Sequence, residues 1–513
     1  MLHVKFSTPI NREHATKVGV NYALLFLGCL LFHVVGTWSV PFIDRDEPRF
    51  AEASREMIER GDYIVPRFNN QRRLDKPPLA YWAQVASYRI FGENDFAARF
   101  PSAVAAALIA LSILGWGTRL RVATASQERI GGDGVGWWAA IIFTLSLQTF
   151  IHAKAAVADM WLVLFVTTAH WSGYELFFNA TEKDRQSSRS TIWWFLFYFS
   201  LAFGFLAKGP IAWTPLLTLA AMKFFVRDVE LAKRFKFLRG IVFTLAIVAL
   251  WAVPALIQTH GEFFKIGIGR HVVGRSFGAM ESHGANSLGF YLLLLPFYFV
   301  TIFASFFPWS IKLPSLARKL WRSRDKTCPE RSRRIDIYLL TGTATIFVIF
   351  SLIKTKLPHY TLPAFPLLSL LLAWHMVDRP QFLKRCAVAT ASIYLVVAFF
   401  VAPFAGHFFP ATQLYRQSRD YLRPEMEFGA VDFQEPSLVW YFRSRITRWM
   451  TALNSASTAQ FMEKDGARFV IVPTPLVAEI FPDPPATWKS FSTRGFDVAK
   501  GKDVDLTLVL KPD

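Results

Sequence analysis

YALLFLGCLLFHVVGTWSV at 22–40 runs directly into PFIDRDEPR at 41–49. An apolar run of about 20 residues, the length that crosses a bilayer, stops there at Asp44-Arg45-Asp46-Glu47-Pro48-Arg49. The polar stretch closes on Asp75-Lys76-Pro77-Pro78, and apolar sequence resumes after Ala98. A charged loop pinned between apolar spans describes a membrane protein that keeps its chemistry at a membrane surface.

The composition agrees. Of the 513 residues 53% are hydrophobic and 16% aromatic, with 50 Phe and 17 Trp, above ordinary soluble usage. Apolar runs near spanning length recur at 22–40, 99–117, 136–151, 158–178, 191–207, 210–226, 240–259, 286–309, 336–353, 360–377 and 384–405. Counting short and re-entrant pieces, the pattern predicts a polytopic α-helical membrane protein of about 11–13 transmembrane helices. The net charge of +19 is no nucleic-acid footprint, because Lys and Arg cluster in alternate loops: the N-terminus (Lys5, Arg12, Lys17), Arg119/Arg121/Arg129, Lys183/Arg185/Arg189, Arg227/Lys233/Arg234/Lys236/Arg239, 312–334 and Arg379/Lys384/Arg385. Positive-inside counting places these loops and the N-terminus in the cytoplasm, and everything after Pro403 outside. The first apolar run precedes no small-residue cleavage site and reads as a retained span. Cys29, Cys328 and Cys386 are too scattered for a disulfide framework or a metal cluster.

Two regions break the membrane pattern on the outer side. The 41–98 loop holds helix formers from Ala51 to Arg60 and an amphipathic stretch from Leu79 to Phe91, with Tyr81, Trp82 and Tyr88 at a spacing suited to a helix in the interface. The 261–285 segment is Gly-rich and carries Arg270, His271, Arg275 and His283, a composition that lets a loop move over a substrate or merely turn. From 406 the spans stop. Apolar runs at 467–472 and 504–510 predict strands, with a short helix at Phe461 and Met462, hence a small extracytoplasmic α/β domain over 406–513 following a membrane domain over 1–405.

Cations in outer loops oppose the positive-inside rule and need another reason; phosphate recognition supplies one. Arg49, Lys76, Lys208 and Lys356 are the candidate phosphate ligands, Asp46 and Asp159 the candidate catalytic carboxylates, and Asp44 and Tyr81 candidate cavity residues. Each has a plainer reading. Asp159, at the start of an apolar run, suits an N-cap; the lysines suit anchors snorkelling to the headgroups; Asp46 suits a solvated partner of Arg49; and a lone His271 suits a structural role.

The run Asp46-Glu47-Pro48-Arg49-Phe50-Ala51-Glu52, then Arg55-Glu56-Met57, Gly61-Asp62-Tyr63, Val65-Pro66 and Lys76-Pro77-Pro78-Leu79 with Tyr81-Trp82, resembles the first outer loop of bacterial lipid A aminoarabinose transferases. These enzymes stand with the protein O-mannosyltransferase-like group of polyprenyl-phosphate-sugar glycosyltransferases. Ala158-Asp159, Lys208-Gly209-Pro210, Pro308-Trp309-Ser310 and Lys356-Leu357-Pro358-His359-Tyr360 continue the likeness over about 400 residues in order. The resemblance implies a GT-C glycosyltransferase of the bacterial inner membrane. Its site would lie at the outer face, its donor would be a sugar on undecaprenyl phosphate, and its acceptor a lipid such as lipid A, or a protein. By motif, Asp46 matches the family's essential aspartate, Arg49 and Lys76 its phosphate-binding cations, and Asp159 its second acidic position. Tyr360 and His271 match residues lining the donor cavity. A divalent metal is the one cofactor the resemblance raises; relatives carry Glu before the lysine, considered as a ligand, where this chain has the shorter Asp75.

The residue types suit that chemistry. Leaving phosphate needs cations in a dry site, an acceptor hydroxyl needs a base such as Asp46, and one displacement at the anomeric carbon inverts configuration. A protein O-mannosyltransferase-like enzyme is the near alternative, differing in acceptor. A transporter or flippase of lipid-linked sugars is the alternative from another class; it calls for inverted repeats and mid-span charges, whereas these charges gather at span ends. A dead scaffold would have no need of Asp46, Arg49, Lys76 and Asp159 together.

Overall fold

The computed structural model describes residues 12–120, 133–178, 188–225, 234–274, 287–322 and 330–513. Lys5, Arg121, Arg129, Lys183, Arg185, Arg227, Lys233, Arg275, His283 and Cys328 lie outside the described residues.

Among the described residues the apolar runs lie mostly on helix, although in the run at 22–40 the helix ends at Val34. Asp95–Leu120, Ser190–Lys208, Phe237–Gln258, Arg333–Leu352 and Pro380–Phe408 are each long and apolar enough to cross a membrane, and the spans rise to seven if two bent pairs are each one. The run at 136–151 is one such pair, turning by 69° between Thr144 and Leu147, and Phe297–Ser305 turns by 120° into the following segment. The run at 158–178 forms the helix Asp159–Phe178 with nearly every residue buried, His170, Ser172 and Glu175 included. It is a central helix that faces protein, which is why it tolerates polar residues.

Helices in lipid gain little from hydrophobic burial against one another, so close packing of small residues holds them. The chain shows this where α1 (Asp95–Leu120) meets α2 (Asp133–Thr144): a Cβ on Gly117 would stand 2.5 Å from Gly136 Cα. Gly240 likewise lets Phe237–Gln258 lie against Tyr198, whose ring a Cβ would meet at 2.0 Å.

At one end of the bundle sits the 41–98 segment, built of α3 (Asp46–Arg60), a two-stranded hairpin at Arg67–Phe68 and Gln71–Arg72, and α4 (Leu79–Phe91). It is anchored by a buried ion pair. Arg99 donates from Nε and Nη2 to both oxygens of Glu47 at 2.8 and 2.7 Å, and its remaining N–H groups go to the carbonyls of Thr37, Val40 and Pro41. Glu47 also accepts from Ile43 N and Ala156 N at 2.9 and 2.8 Å. Every valence of the pair is thus used, the condition under which a buried ion pair is well held. It ties together the end of the first helix, the start of α3, α1 and the turn before Asp159.

The same end carries a five-stranded mixed sheet in the order β2-β1-β3-β5-β4, from β1 (Glu427–Val431), β2 (Met450–Leu453), β3 (Arg468–Pro473), β4 (Lys489–Asp497) and β5 (Lys502–Lys511). β1 pairs parallel with β2 and β3, while β5 pairs antiparallel with β3 and β4. Helices Pro436–Arg443 and Ser455–Glu463 connect β1 to β2 and β2 to β3, as parallel strands require. Helix α5 (Pro436–Arg443) lies on α3. Arg443 pairs with Glu52 and, at 2.7 Å, with Glu59; Arg55 donates to Glu52 at 2.7 Å and to Trp440 O at 3.0 Å. Guanidinium carbons of Arg55 and Arg443 stand 3.8 Å over the rings of Trp440 and Trp449, a cation–π contact of the desolvated kind.

Asp44 joins this contact: Ser437 donates to it from N at 2.9 Å and from Oγ at 2.6 Å. Burial pushes its pKa up to about 7, the Ser437 bonds opposing and Glu435 and Asp497 adding to the rise. Folding therefore takes up a proton between the usual carboxylate value and about 7. The associated stability is complete at low pH and is lost as pH rises through about 7. The unfolding temperature of the detergent-purified protein should accordingly fall between about pH 5 and 8, and Asp44→Asn should flatten that slope; an unchanged slope in the variant would remove Asp44 as its source.

Candidate functional site

The charges of α3 and the lysines of the bundle converge below the 41–98 segment. Lys76 follows the hairpin, Lys208 ends the helix Ser188–Lys208, and Asp159 opens the helix Asp159–Phe178. Lys208 Nζ donates to Asp159 Oδ1 at 2.5 Å. Lys76, Lys208 and Asp159 line a cavity of about 540 Å³ with His359 and Tyr360, the rest of whose wall is apolar except for Thr214 and includes Leu162, Leu217, Ile349 and Phe350. Tyr360 sits with Lys208 Nζ 5.9 Å from its ring centre and packs on Phe350. A second cavity of about 310 Å³ meets the first at Lys76 and Lys208, and Asp75, Trp251 and Phe263 lie in its wall. The geometry is a cationic junction between two largely apolar hollows, suited to a phosphate carrying a hydrocarbon tail.

Asp46 is exposed at the first residue of α3, and its charge acts on Arg49, Arg73, Tyr81 and, across the gap, His152. Arg49 pairs with no carboxylate among the described residues. Burial first, then the neighbouring Arg73, lowers its pKa, so its charge is held at a cost that a bound anion relieves.

Other expected site residues stand elsewhere. Lys356 is buried and donates to Phe350 O at 3.0 Å and Ser351 O at 2.6 Å, closing the C-terminal carbonyls of the helix Glu330–Leu352; it lines neither cavity. Asp44 is spent on Ser437 and also lines neither. Tyr81 is fully buried beneath the site and accepts from Arg73 Nε at 2.9 Å, so it supports that arginine. His271 lies on the helical turn Phe264–Gly274, its side chain outside the described residues. Asp75 pairs with Arg73 Nε at 3.2 Å and, among the described residues, joins no group of three potential metal ligands. A metal held by Asp75 does not fit this surround.

Arg73 is the residue the sequence reading passed over. Mostly buried, it binds Tyr81 and Asp75, with its guanidinium carbon 5.1 Å from the Phe50 ring centre. The signal was its place two residues before Asp75, masked by the run of cations around it. His359 stands with Nε2 4.0 Å from Asp159 Oδ1, and burial drives its pKa down to about 3, leaving a neutral imidazole.

The fold is of the GT-C type, in a multi-span membrane protein. It aligns with the crystal structure of ArnT from Cupriavidus metallidurans bound to undecaprenyl phosphate over 95% of this chain and 98% of that one, with TM-score 0.69 at 18% identity. In sequence, the chain is 29% identical over 350 residues to the undecaprenyl phosphate-alpha-4-amino-4-deoxy-L-arabinose arabinosyl transferase of Aeromonas salmonicida, covering 68% of this chain and 58% of that protein. The Yersinia pestis (strain Pestoides F) protein of the same name is 30% identical over 361 residues, covering 69% and 59%. The chain thus spans just under three fifths of the length of these two relatives. An uncharacterised protein of Aquifex aeolicus is 26% identical over 426 residues, 82% of this chain and 85% of its own length. Residues 75–253 match the model of the dolichyl-phosphate-mannose-protein mannosyltransferase family.

Proposed function

We propose that this protein is a polyprenyl-phosphate-sugar-dependent glycosyltransferase of the bacterial inner membrane, which modifies a lipid such as lipid A. The observation that carries the reading is the cationic junction of Lys76 and Lys208 opening into an apolar hollow. The activity for which those relatives are named agrees with it. The site and the sheet at 427–511 lie on the extracytoplasmic side and the N-terminus in the cytoplasm, as the loop charges direct. The division into a membrane part over 1–405 and an α/β part over 406–513 belongs to the same proposal.

In this mechanism an acceptor oxygen attacks the anomeric carbon as the bond from that carbon to the donor phosphate oxygen breaks. Arg49, Lys76 and Lys208 stabilise the negative charge left on the lipid phosphate. Asp46 takes the proton of an acceptor hydroxyl; an acceptor phosphate has little to give up at neutral pH. Asp159 holds Lys208 in place, and the single displacement inverts the sugar.

The test supplies the purified protein in nanodiscs with a panel of radiolabelled undecaprenyl-phosphate sugars and an envelope lipid extract. Label in the lipid fraction supports the reading. The match to the protein mannosyltransferase model favours one second reading, in which a Ser or Thr hydroxyl is the acceptor and label enters protein. Intact labelled donor crossing proteoliposomes, with no transfer, would replace both by a transporter. Lys76→Ala and Arg49→Ala are each expected to raise the KM for donor about 10- to 100-fold, since a hydrogen bond to a charged group contributes about 1.5–3 kcal/mol; unchanged donor saturation would take either residue out of the phosphate site.

A further inference from the structure

At the edge of the larger cavity, three side chains from three separate elements meet: His152 from the end of Leu147–Ala153, Asp159 from the start of the next helix, and His359 from the turn Pro358–Ala364. Their ligand atoms all lie within 4.8 Å of one another. We infer a site for a divalent transition metal of the zinc type on His152, Asp159 and His359, distinct from Asp75.

Two imidazoles and a carboxylate are the donor set that such ions take, with three protein ligands leaving a fourth position for water or substrate. Asp159 and His359 both line the cavity, so that position faces the space where a phosphate would lie. Metal-binding histidines are oriented by a partner on the other ring nitrogen, and His152 has one: Nδ1 stands 3.2 Å from Gln148 O. With Nδ1–H donating there, the Nε2 lone pair is left for the ion. The Gln148 amide nitrogen at 3.1 Å serves the opposite tautomer, so loading the site selects between the two. His359 makes no hydrogen bond among the described residues, and its Nε2 points toward Asp159 at 4.0 Å. The two imidazole centres are 5.0 Å apart, so small movements bring all three donors to metal-bond length.

Lys208 sits on Asp159 at 2.5 Å and competes with the ion for that carboxylate. This gives the site a distinctive response. Titration of the metal-stripped full-length protein with Co²⁺ should produce the visible absorption of a nitrogen- and oxygen-ligated ion at one equivalent. His152→Ala, His359→Ala and the less disruptive His359→Gln should each abolish it. Gln148→Leu keeps the backbone carbonyl that Nδ1–H meets and removes the side-chain amide that serves the opposite tautomer, so it should tighten binding, and Lys208→Met should tighten it too. Gel filtration of each variant separates loss of the site from loss of the fold. No absorption in the wild type, or absorption that survives both histidine substitutions in folded protein, would overturn the assignment. Binding is read without sugar transfer, so failure here leaves the proposed reaction standing, and failure of transfer leaves the metal site standing.

Discussion

Replacing Asp46 by Asn should lower kcat for sugar transfer to a hydroxyl acceptor by about 10²–10⁴-fold, the range a positioned base contributes, with the donor KM nearly unchanged. The side chain has the same shape but cannot take the proton. Asp46, at the first residue of α3, is exposed, makes no ion pair among the described residues and lies in the wall of neither cavity, whereas Asp159 is taken by Lys208 and Asp75 by Arg73. Initial rates with labelled donor and saturating acceptor decide it. A variant turning over like the wild type would assign the proton to another group, or the acceptor to a phosphate.

The largest effect on stability is expected at Glu47. Glu47→Gln leaves Arg99 buried against a neutral amide, and breaking one partner of a buried ion pair costs about 3–5 kcal/mol. The loss should appear as a marked fall in the unfolding temperature of the detergent-purified protein. Activity should fall with it, because Asp46 is the neighbouring residue and Ala156, which donates to Glu47, lies just before Asp159. The double variant Glu47→Met with Arg99→Met removes both charges and should recover much of the stability while leaving activity low. A double variant no more stable than the single one would show that hydrogen bonds to the backbone, rather than the charge pair, hold this corner.

The helical membrane architecture was legible because apolar length is a local property, and so were α3 and α4, whose composition changes within the loop. Span lengths were less so: the bend between Thr144 and Leu147 and the burial of the helix Asp159–Phe178 depend on neighbours that no window of sequence contains. At the site, sequence shows which residues are charged and not what each charge faces. Lys76 and Lys208 face a cavity, while Lys356, similar in context, turns to the carbonyls of its own preceding helix. Asp44 reaches Ser437, 393 positions away, and Glu47 finds Arg99 52 positions on. His359 was visible only as part of a motif, since its partners His152 and Asp159 come from another part of the chain.

The interlock of Glu52 and Glu59 with Arg443, and of Arg55 with Trp440, has a bearing on how such chains can be recombined. A sheet-bearing tail taken from one relative and joined to the bundle of another would leave the Glu52 carboxylate buried at the seam without the guanidinium of Arg443. Chimaeras should work only when α3 and Pro436–Arg443 travel together as a matched pair, so the heritable unit here straddles both halves of the polypeptide.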